Sequence, residues 1–265
     1  MSQDEAPKIL RIDQGCLLSP SLVRQIYEDE SRDYYASTDW SPEFYVLQAR
    51  IGFIAVGHEF PDGTQILLPE LQKSYCVFDW ESIDGNRSLL KEIRKRLNSY
   101  RIRINHNPER VLHAILDYHG NKTWLCSKYI ELCHQLFARP PMGLFRMCSV
   151  ELYNTDGRLI AGELGYVLGA TFTSLTGFCQ RESRISLGKM QILCLTKLLA
   201  RTGFKFLNLG QPPRDGQMQY KSDLGGIEIN RHDFLSRWND AISVVPIGID
   251  SFLTCDVPLG DLFHP

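Results

Sequence analysis

The 265-residue chain has no motif that settles its class at once, and each absence excludes something. Its eight cysteines, at 16, 76, 126, 133, 148, 179, 194 and 255, form no CxxC pair, and no Cys/His set has zinc-ligand spacing. No metal centre and no cofactor is expected on that basis. Cysteines scattered in apolar surroundings read as reduced, buried thiols, which suits a reducing cytoplasm. No apolar run approaches the roughly 20 residues that span a bilayer. The acidic start MSQDEAPKIL has no hydrophobic signal segment. A cytoplasmic protein without membrane attachment is the expectation. A basic excess is missing too: 29 Lys and Arg face 31 Asp and Glu. Any nucleic-acid binding must therefore come from a local patch. There is no internal repeat and no low-complexity tract.

What is present is an ordinary globular composition, 43% hydrophobic and 23% charged, long enough for a sizeable core. Residues 1–40 are an acidic extension, with eight Asp/Glu against four Lys/Arg. It carries one helix, opened by Ser19 as N-cap with Pro20 at the first helical position. Ser41-Pro42 starts a second helix, to about Arg50, and Gly52 ends it. IGFIAVGHEF reads as a strand or turn, and Tyr75–Trp80 as a short apolar strand. LLKEIRKRL is a basic amphipathic helix, and RIRIN (101–105) alternates with the period of a half-buried strand. Residues 41–105 thus form a smaller N-terminal α/β domain. Helices are expected from Asn107-Pro108 to about Tyr118, and from about Trp124 to Phe137, before Pro140-Pro141.

From residue 106 to 265 we expect a second domain. MCSVELYN, LIAGELGYVLGA and TFTSLTGFCQ are three antiparallel strands, the first two joined by a turn at Asp156-Gly157. SLGKMQILCLTKLLARTG is a helix with Met190, Leu193, Cys194, Lys197 and Leu198 on one face. Gly203 sits at its C-terminal cap, and KFLNLG is the next strand. A meander, a crossover helix and a further strand make a three-layer α/β unit, α+β overall. That order matches the heart of the N-acyltransferase-like (GNAT-like) fold. There the strands flanking the helix splay apart and the acyl donor sits in the gap. Acyl-CoA users carry a glycine-rich loop before this helix, whose N–H groups hold pyrophosphate. Here Gln180 to Lys189 keeps only Gly188 of that pattern, and Ser186 reads more simply as the N-cap. Arg184 and Lys189 could meet phosphate, although ordinary surface charge accounts for both.

The stretch from Lys122 to Leu235 resembles the leucyl/phenylalanyl-tRNA–protein transferase family. The resemblance rests on ordered anchors. Thr123-Trp124-Leu125 is similar to the family's Thr-Trp-Ile, and Ser149-Val150-Glu151-Leu152-Tyr153 to its Ser-Val-Glu-Val-Trp strand. Gly162, Gly165, Gly169 and Phe172 fall on its glycine-rich strands. Lys189 heads its long helix, and Asp223 to Arg231 resembles its Ser-Leu-Gly-Ala-x-x-Ile-Pro-Arg. Upstream, Ser41-Pro42 to Phe53 resembles its N-terminal helix. The resemblance implies a charged tRNA as donor and an amine acceptor, a protein N-terminus or a small molecule. In the family a leucyl, phenylalanyl or methionyl group passes to an N-terminal Arg or Lys. The ester is already activated, so catalysis means orienting the amine and stabilising the oxyanion.

The family's catalytic carboxylates are missing where the resemblance would put them. Leu175 stands at its Glu, and Asn208 at its Asp. The family's Gln survives as Gln211, one residue displaced. Asn208, Gln211 and Ser174 are the candidate catalytic residues. Trp124, Thr176, Phe178 and Cys133 are the candidate substrate-binding residues, with Trp124 placed to stack on adenine; a core tryptophan is the plainer reading of that residue. Cys133-His134 is no nucleophile–base pair, because helix neighbours point about 100° apart. Arg87, Lys91, Arg94, Lys95, Arg96, Arg101 and Arg103 form a local basic run suited to RNA phosphates or to a solvated helix face. Loss of negative charge puts specificity for a basic acceptor in doubt. Two alternatives stay open: a non-catalytic tRNA- or protein-binding relative, and an acyl-CoA-dependent N-acyltransferase.

Overall fold

A computed structural model describes residues 9–80, 87–180, 186–214 and 218–263. Among these residues no helix is long and apolar enough to cross a membrane. The chain divides into two compact units. One holds the described residues up to Lys73 together with Trp124–Ala138. The other holds Ser74–Thr123 and everything described from Arg139 onward.

The first unit opens with β1 (Leu10–Arg11), α1 (Gln14–Leu18), α2 (Pro20–Glu28), β2 (Tyr35–Ala36), α3 (Pro42–Arg50), β3 (Ile54–Glu59) and β4 (Gln65–Glu70). The chain then lays down β5 (Ser74–Phe78), α4 (Arg87–Arg94), β6 (Tyr100–Ile104) and α5 (Pro108–His119) in the second unit. It returns to the first for α6 (Ser127–Ala138). The Ser/Asn-Pro signals hold at three helix starts. Ser41 Oγ accepts from Phe44 N at 3.2 Å and Asn107 Oδ1 from Arg110 N at 3.0 Å, while Ser19 makes no side-chain cap bond. Strand β4 was not legible, because Pro69 interrupts its pattern; it forms a hairpin with β3 through a turn at Gly63, whose φ is +81°. Helix α6 starts three residues later than the sequence suggests. A Cβ on Gly57 of β3 would lie 2.7 Å from the Trp124 carbonyl, so the chain at 124–126 passes close against that strand before the helix begins. Tyr129 of α6 donates to the Ala55 carbonyl at 3.0 Å, which makes Tyr45 the donor in their 2.7 Å hydroxyl pair.

The second unit continues with β7 (Phe145–Asn154), β8 (Leu159–Leu168), β9 (Thr171–Cys179), α7 (Leu187–Arg201) and β10 (Phe206–Asn208). It ends with α8 (Tyr220–Asp223), β11 (Ile227–Asn230), α9 (Arg231–Ile242), α10 (Ile249–Leu253), β12 (Asp256–Pro258) and α11 (Leu259–Phe263). Eight strands form one mixed sheet in the order β11-β5-β10-β9-β8-β7-β6-β12. Among the described residues of this sheet, only β9 and β10 pair in parallel, and α7 is their crossover. This bears out the expected mixed α/β class and the meander–helix–strand order. Ser186 caps α7, accepting from Lys189 N, and Gly203 at φ +83° follows its end. On one sheet face α7 buries Met190, Leu193, Cys194 and Leu198 with Val150, Leu152 and Phe172. Each such side chain contributes roughly 1.5–3 kcal/mol on burial. Helix α9 packs Phe234 and Trp238 with Tyr75 and Phe206.

Candidate functional site

The sheet comes apart where β9 leaves β10. The two strands pair only through Phe206↔Thr171, Leu207↔Phe172 and Asn208↔Thr173. From Ser174 to Cys179, β9 pairs with β8 alone. Its open side forms one wall of a cavity of about 340 Å³. The head of α7 (Ser186, Gly188, Lys189), Leu209 beyond β10, and Met218, Tyr220 and Lys221 supply the other walls. A bulge sharpens the opening. Leu164 pairs with Thr176 and Gly165 with Ser174, so Leu175 is the extra residue. A bulge re-aims the side chains around it and weakens pairing locally.

The cavity carries one unusual acid. Glu163 of β8, 6% exposed, lies on its wall, directly across from Gly177. Its Oε1 has no hydrogen-bond partner. Burial pushes the carboxyl up to about 7, against the opposing pull of the Ser174 hydroxyl and the Lys221 ammonium. Lys221 gives its Nζ to the carbonyls of Leu209 and Gln211, each at 2.7 Å. Burial brings that ammonium down to about 8, opposed by Cys76 and Glu163. Burial also raises the Tyr220 phenol, and Glu163 adds to the effect. At the cavity's rim Lys189 and Asp223 pair at 2.7 Å, and the bond holds the Asp223 carboxyl below its usual range. His119 Nε2 donates to the Gly177 carbonyl at 2.9 Å and lies 3.5 Å from Thr176 Oγ1.

Of the residues singled out from sequence, Ser174, Thr176 and Phe178 come together on this wall. Asn208 is buried at the end of β10. Its amide nitrogen reaches Thr173 Oγ1 at 3.4 Å, and its oxygen accepts from Gly210 N at 2.9 Å. Gln211 follows it, its carbonyl taken by Lys221. Trp124 and Cys133 belong to the first unit. Trp124 stands edge-on to Tyr129, ring centroids 4.7 Å apart. Cys133 is fully buried, and burial pushes its thiol up to about 12. Lys91 and Arg94 are exposed on α4; just beyond it Lys95 is exposed and Arg96 half-buried. Arg101 and Arg103 of β6 bind Asp256 of β12 at 2.6 and 3.0 Å, and Arg103 also covers the Tyr153 ring. The Arg87 side chain and all of Arg184 lie outside the described residues.

Glu163, Lys221, Tyr220 and His119 were not singled out in advance. For Glu163 a signal existed: it is the sole charged residue in LIAGELGYVLGATF. A lone carboxylate in an otherwise apolar strand is rarely buried without a purpose. For Lys221 no local pattern points inward.

With this geometry in place, comparison with known proteins adds a lineage. The family model described as leucyl/phenylalanyl-tRNA protein transferase matches residues 77–239, more than half of the chain. The chain belongs to this family. A curated leucyl/phenylalanyl-tRNA–protein transferase from Rubrobacter xylanophilus is 27% identical over 167 residues, 63% of this chain and 78% of the relative. Among solved structures, L-PGS from Bacillus licheniformis aligns at a TM-score of 0.43 and 9% identity, over 82% of this chain and 74% of that one. The C-terminal domain of a proposed lysylphosphatidylglycerol synthetase from Agrobacterium fabrum aligns at 0.43 and 15% identity, over 86% and 78%. The family expectation drawn from the ordered anchors is borne out.

Proposed function

We propose that this protein moves an aminoacyl group from a charged tRNA to an amine acceptor in the cavity beside β9, and that the acceptor is not a basic N-terminus. Membership of the transferase family supports the reaction class. One observation carries the acceptor reading. At the positions matched to the family's two carboxylates stand Leu175, in the bulge, and Asn208, whose amide is engaged with Thr173 and Gly210. Neither can balance the charge of an Arg or Lys side chain. Transfer from an activated ester needs an oriented amine and donors for the developing oxyanion. The open edge of β9 offers backbone N–H groups for the second task, and Ser174 and Thr176 offer hydroxyls beside it. The splayed strands and crossover helix support reading this sheet as a GNAT-like N-acyltransferase core.

The exposed Lys91, Arg94 and Lys95 suit the phosphates of the tRNA. The test is a transfer assay with labelled leucyl-, phenylalanyl- and methionyl-tRNA. Peptides beginning with basic, neutral and acidic residues serve as acceptors. Transfer to neutral or acidic N-termini is the expected result. Transfer confined to Arg and Lys would overturn the altered acceptor. Binding of tRNA with no transfer to any acceptor would replace catalysis by a binding role.

A further inference from the structure

We propose that Glu163 receives the acceptor: its carboxylate binds the incoming ammonium and takes the proton that must leave before the nitrogen can attack. The proposal rests on the transfer reading above and assigns the acceptor step to one residue. No position matched to the family's own carboxylates supplies that acid; it comes from the neighbouring strand.

Four observations converge on it. Among the described residues lining the cavity, Glu163 is the one carboxylate. Its Oε1 is buried without a hydrogen-bond partner, a costly state for a carboxylate oxygen. The neighbouring cation, Lys221, directs its hydrogen bonds to the Leu209 and Gln211 carbonyls instead. The residue directly across from Glu163 is Gly177, so no partner side chain fills the space beside the carboxylate on that face.

The step balances as follows. An ammonium gives one proton to Glu163 and becomes a free amine. The nitrogen attacks the ester carbon, forming the C–N bond. The C–O bond to the tRNA ribose breaks, and the nitrogen's second proton goes to the departing ribose oxygen. Glu163 then returns its proton to water. The environment favours the first transfer. α-Amino groups titrate near 7.7–8.0. A carboxyl raised to about 7 is a far better match for them than an exposed one near 4.3. The same wall limits the acceptor. Lys221, its ammonium held by neutral carbonyls, also lines the cavity, so a second cation on the acceptor meets like charge. The acceptor class is an amine with no other positive group.

The test uses the full chain, Glu163→Gln and Glu163→Asp, with two readouts. The first is the transfer rate across neutral pH with leucyl-tRNA and the best acceptor peptide. Glu163→Gln should lose about 10²–10⁴-fold in kcat and the rising limb near neutrality, with tRNA affinity kept and Glu163→Asp recovering part of the rate. An unchanged rate in Glu163→Gln, or a slowed one with its rising limb intact, would overturn the base role. The second readout follows the carboxyl carbon resonance that Glu163→Gln lacks, with glycinamide as the amine probe. Glycinamide should lower its titration midpoint by at least about one unit. No change would overturn the ammonium site, whether or not transfer is seen. A lowered midpoint in a protein that transfers to nothing would keep the site and end the transferase reading.

Discussion

Replacing Glu163 by glutamine should stabilise the protein above neutral pH. The magnitude follows from the carboxyl's environment. Its value rises from 4.5 when exposed to about 7 in the fold. Between those values the native state holds more protons than the unfolded chain, so stability falls as pH rises through the window. Above about 7 the full deficit is present. At 1.36 kcal/mol per unit it amounts to about 3 kcal/mol, and glutamine, which does not titrate, is spared it. Glu70 in the first unit is also raised to about 7 by burial, but it is common to both proteins and cancels in the difference. Lys221 acts in the other direction. Its ammonium is disfavoured in the fold below about 8, and that cost fades as pH climbs toward 10.5. Comparing urea unfolding of the two proteins between about pH 4.5 and about pH 7 stays below the window in which the lysine titrates. The wild type should fall behind Glu163→Gln by about 3 kcal/mol across that interval. Parallel stability curves would refute the reasoning, because they would mean that Glu163 titrates as an exposed acid.

Gly169→Ala should destabilise by about 2 kcal/mol or more, read as a lower Tm. Residue 169 has φ +55°, and a Cβ there would lie 2.3 Å from the Ile242 carbonyl oxygen. Tyr129→Phe should cost about 1–3 kcal/mol in denaturant unfolding, more than Tyr45→Phe. It breaks both the bond to the Ala55 carbonyl and the bond with the Tyr45 hydroxyl, whereas Tyr45→Phe leaves the Tyr129–Ala55 bond in place. Asp256→Asn should change stability by under about 1 kcal/mol while strengthening tRNA binding at low salt, because it frees Arg101 and Arg103 from their counter-charge. Lys91→Ala with Arg94→Ala should weaken binding and flatten its salt dependence, measured by filter binding across a salt series.

The legible parts were those in which one segment carries its own signal. Ser41-Pro42 and Asn107-Pro108 marked helix starts because cap and proline act locally. The order β7, β8, β9, α7, β10 followed from period changes and the Asp156-Gly157 turn. Ser174, Thr176 and Phe178 reached the cavity wall because the resemblance fixed their strand. Glu163 escaped because the resemblance directed attention to Leu175, twelve residues away in sequence. Only pairing of the strands shows that Leu175 occupies a bulge and Glu163 stands on the wall beside it. Lys221 was invisible for a related reason. Its burial depends on accepting carbonyls at 209 and 211, a contact that no local pattern encodes. The basic run likewise reads as one stripe, yet Asp256, more than 150 residues on, neutralises its last two members.

The first unit is built from two stretches of chain, up to Lys73 and from Trp124 to Ala138. During synthesis it cannot be completed when its first stretch emerges. The β3–β4 hairpin and α3 gain their bonds to Tyr129, at Ala55 and Tyr45, only once α6 has been made. By then four elements of the other unit have already left the ribosome. The order of translation is therefore not the order of assembly. For biochemists who wish to cut the protein in two, no single cleavage point separates the units. A fragment ending near residue 105 would lack α6 altogether, whereas one joining residue 73 to residue 124 through a short flexible linker would keep both stretches together.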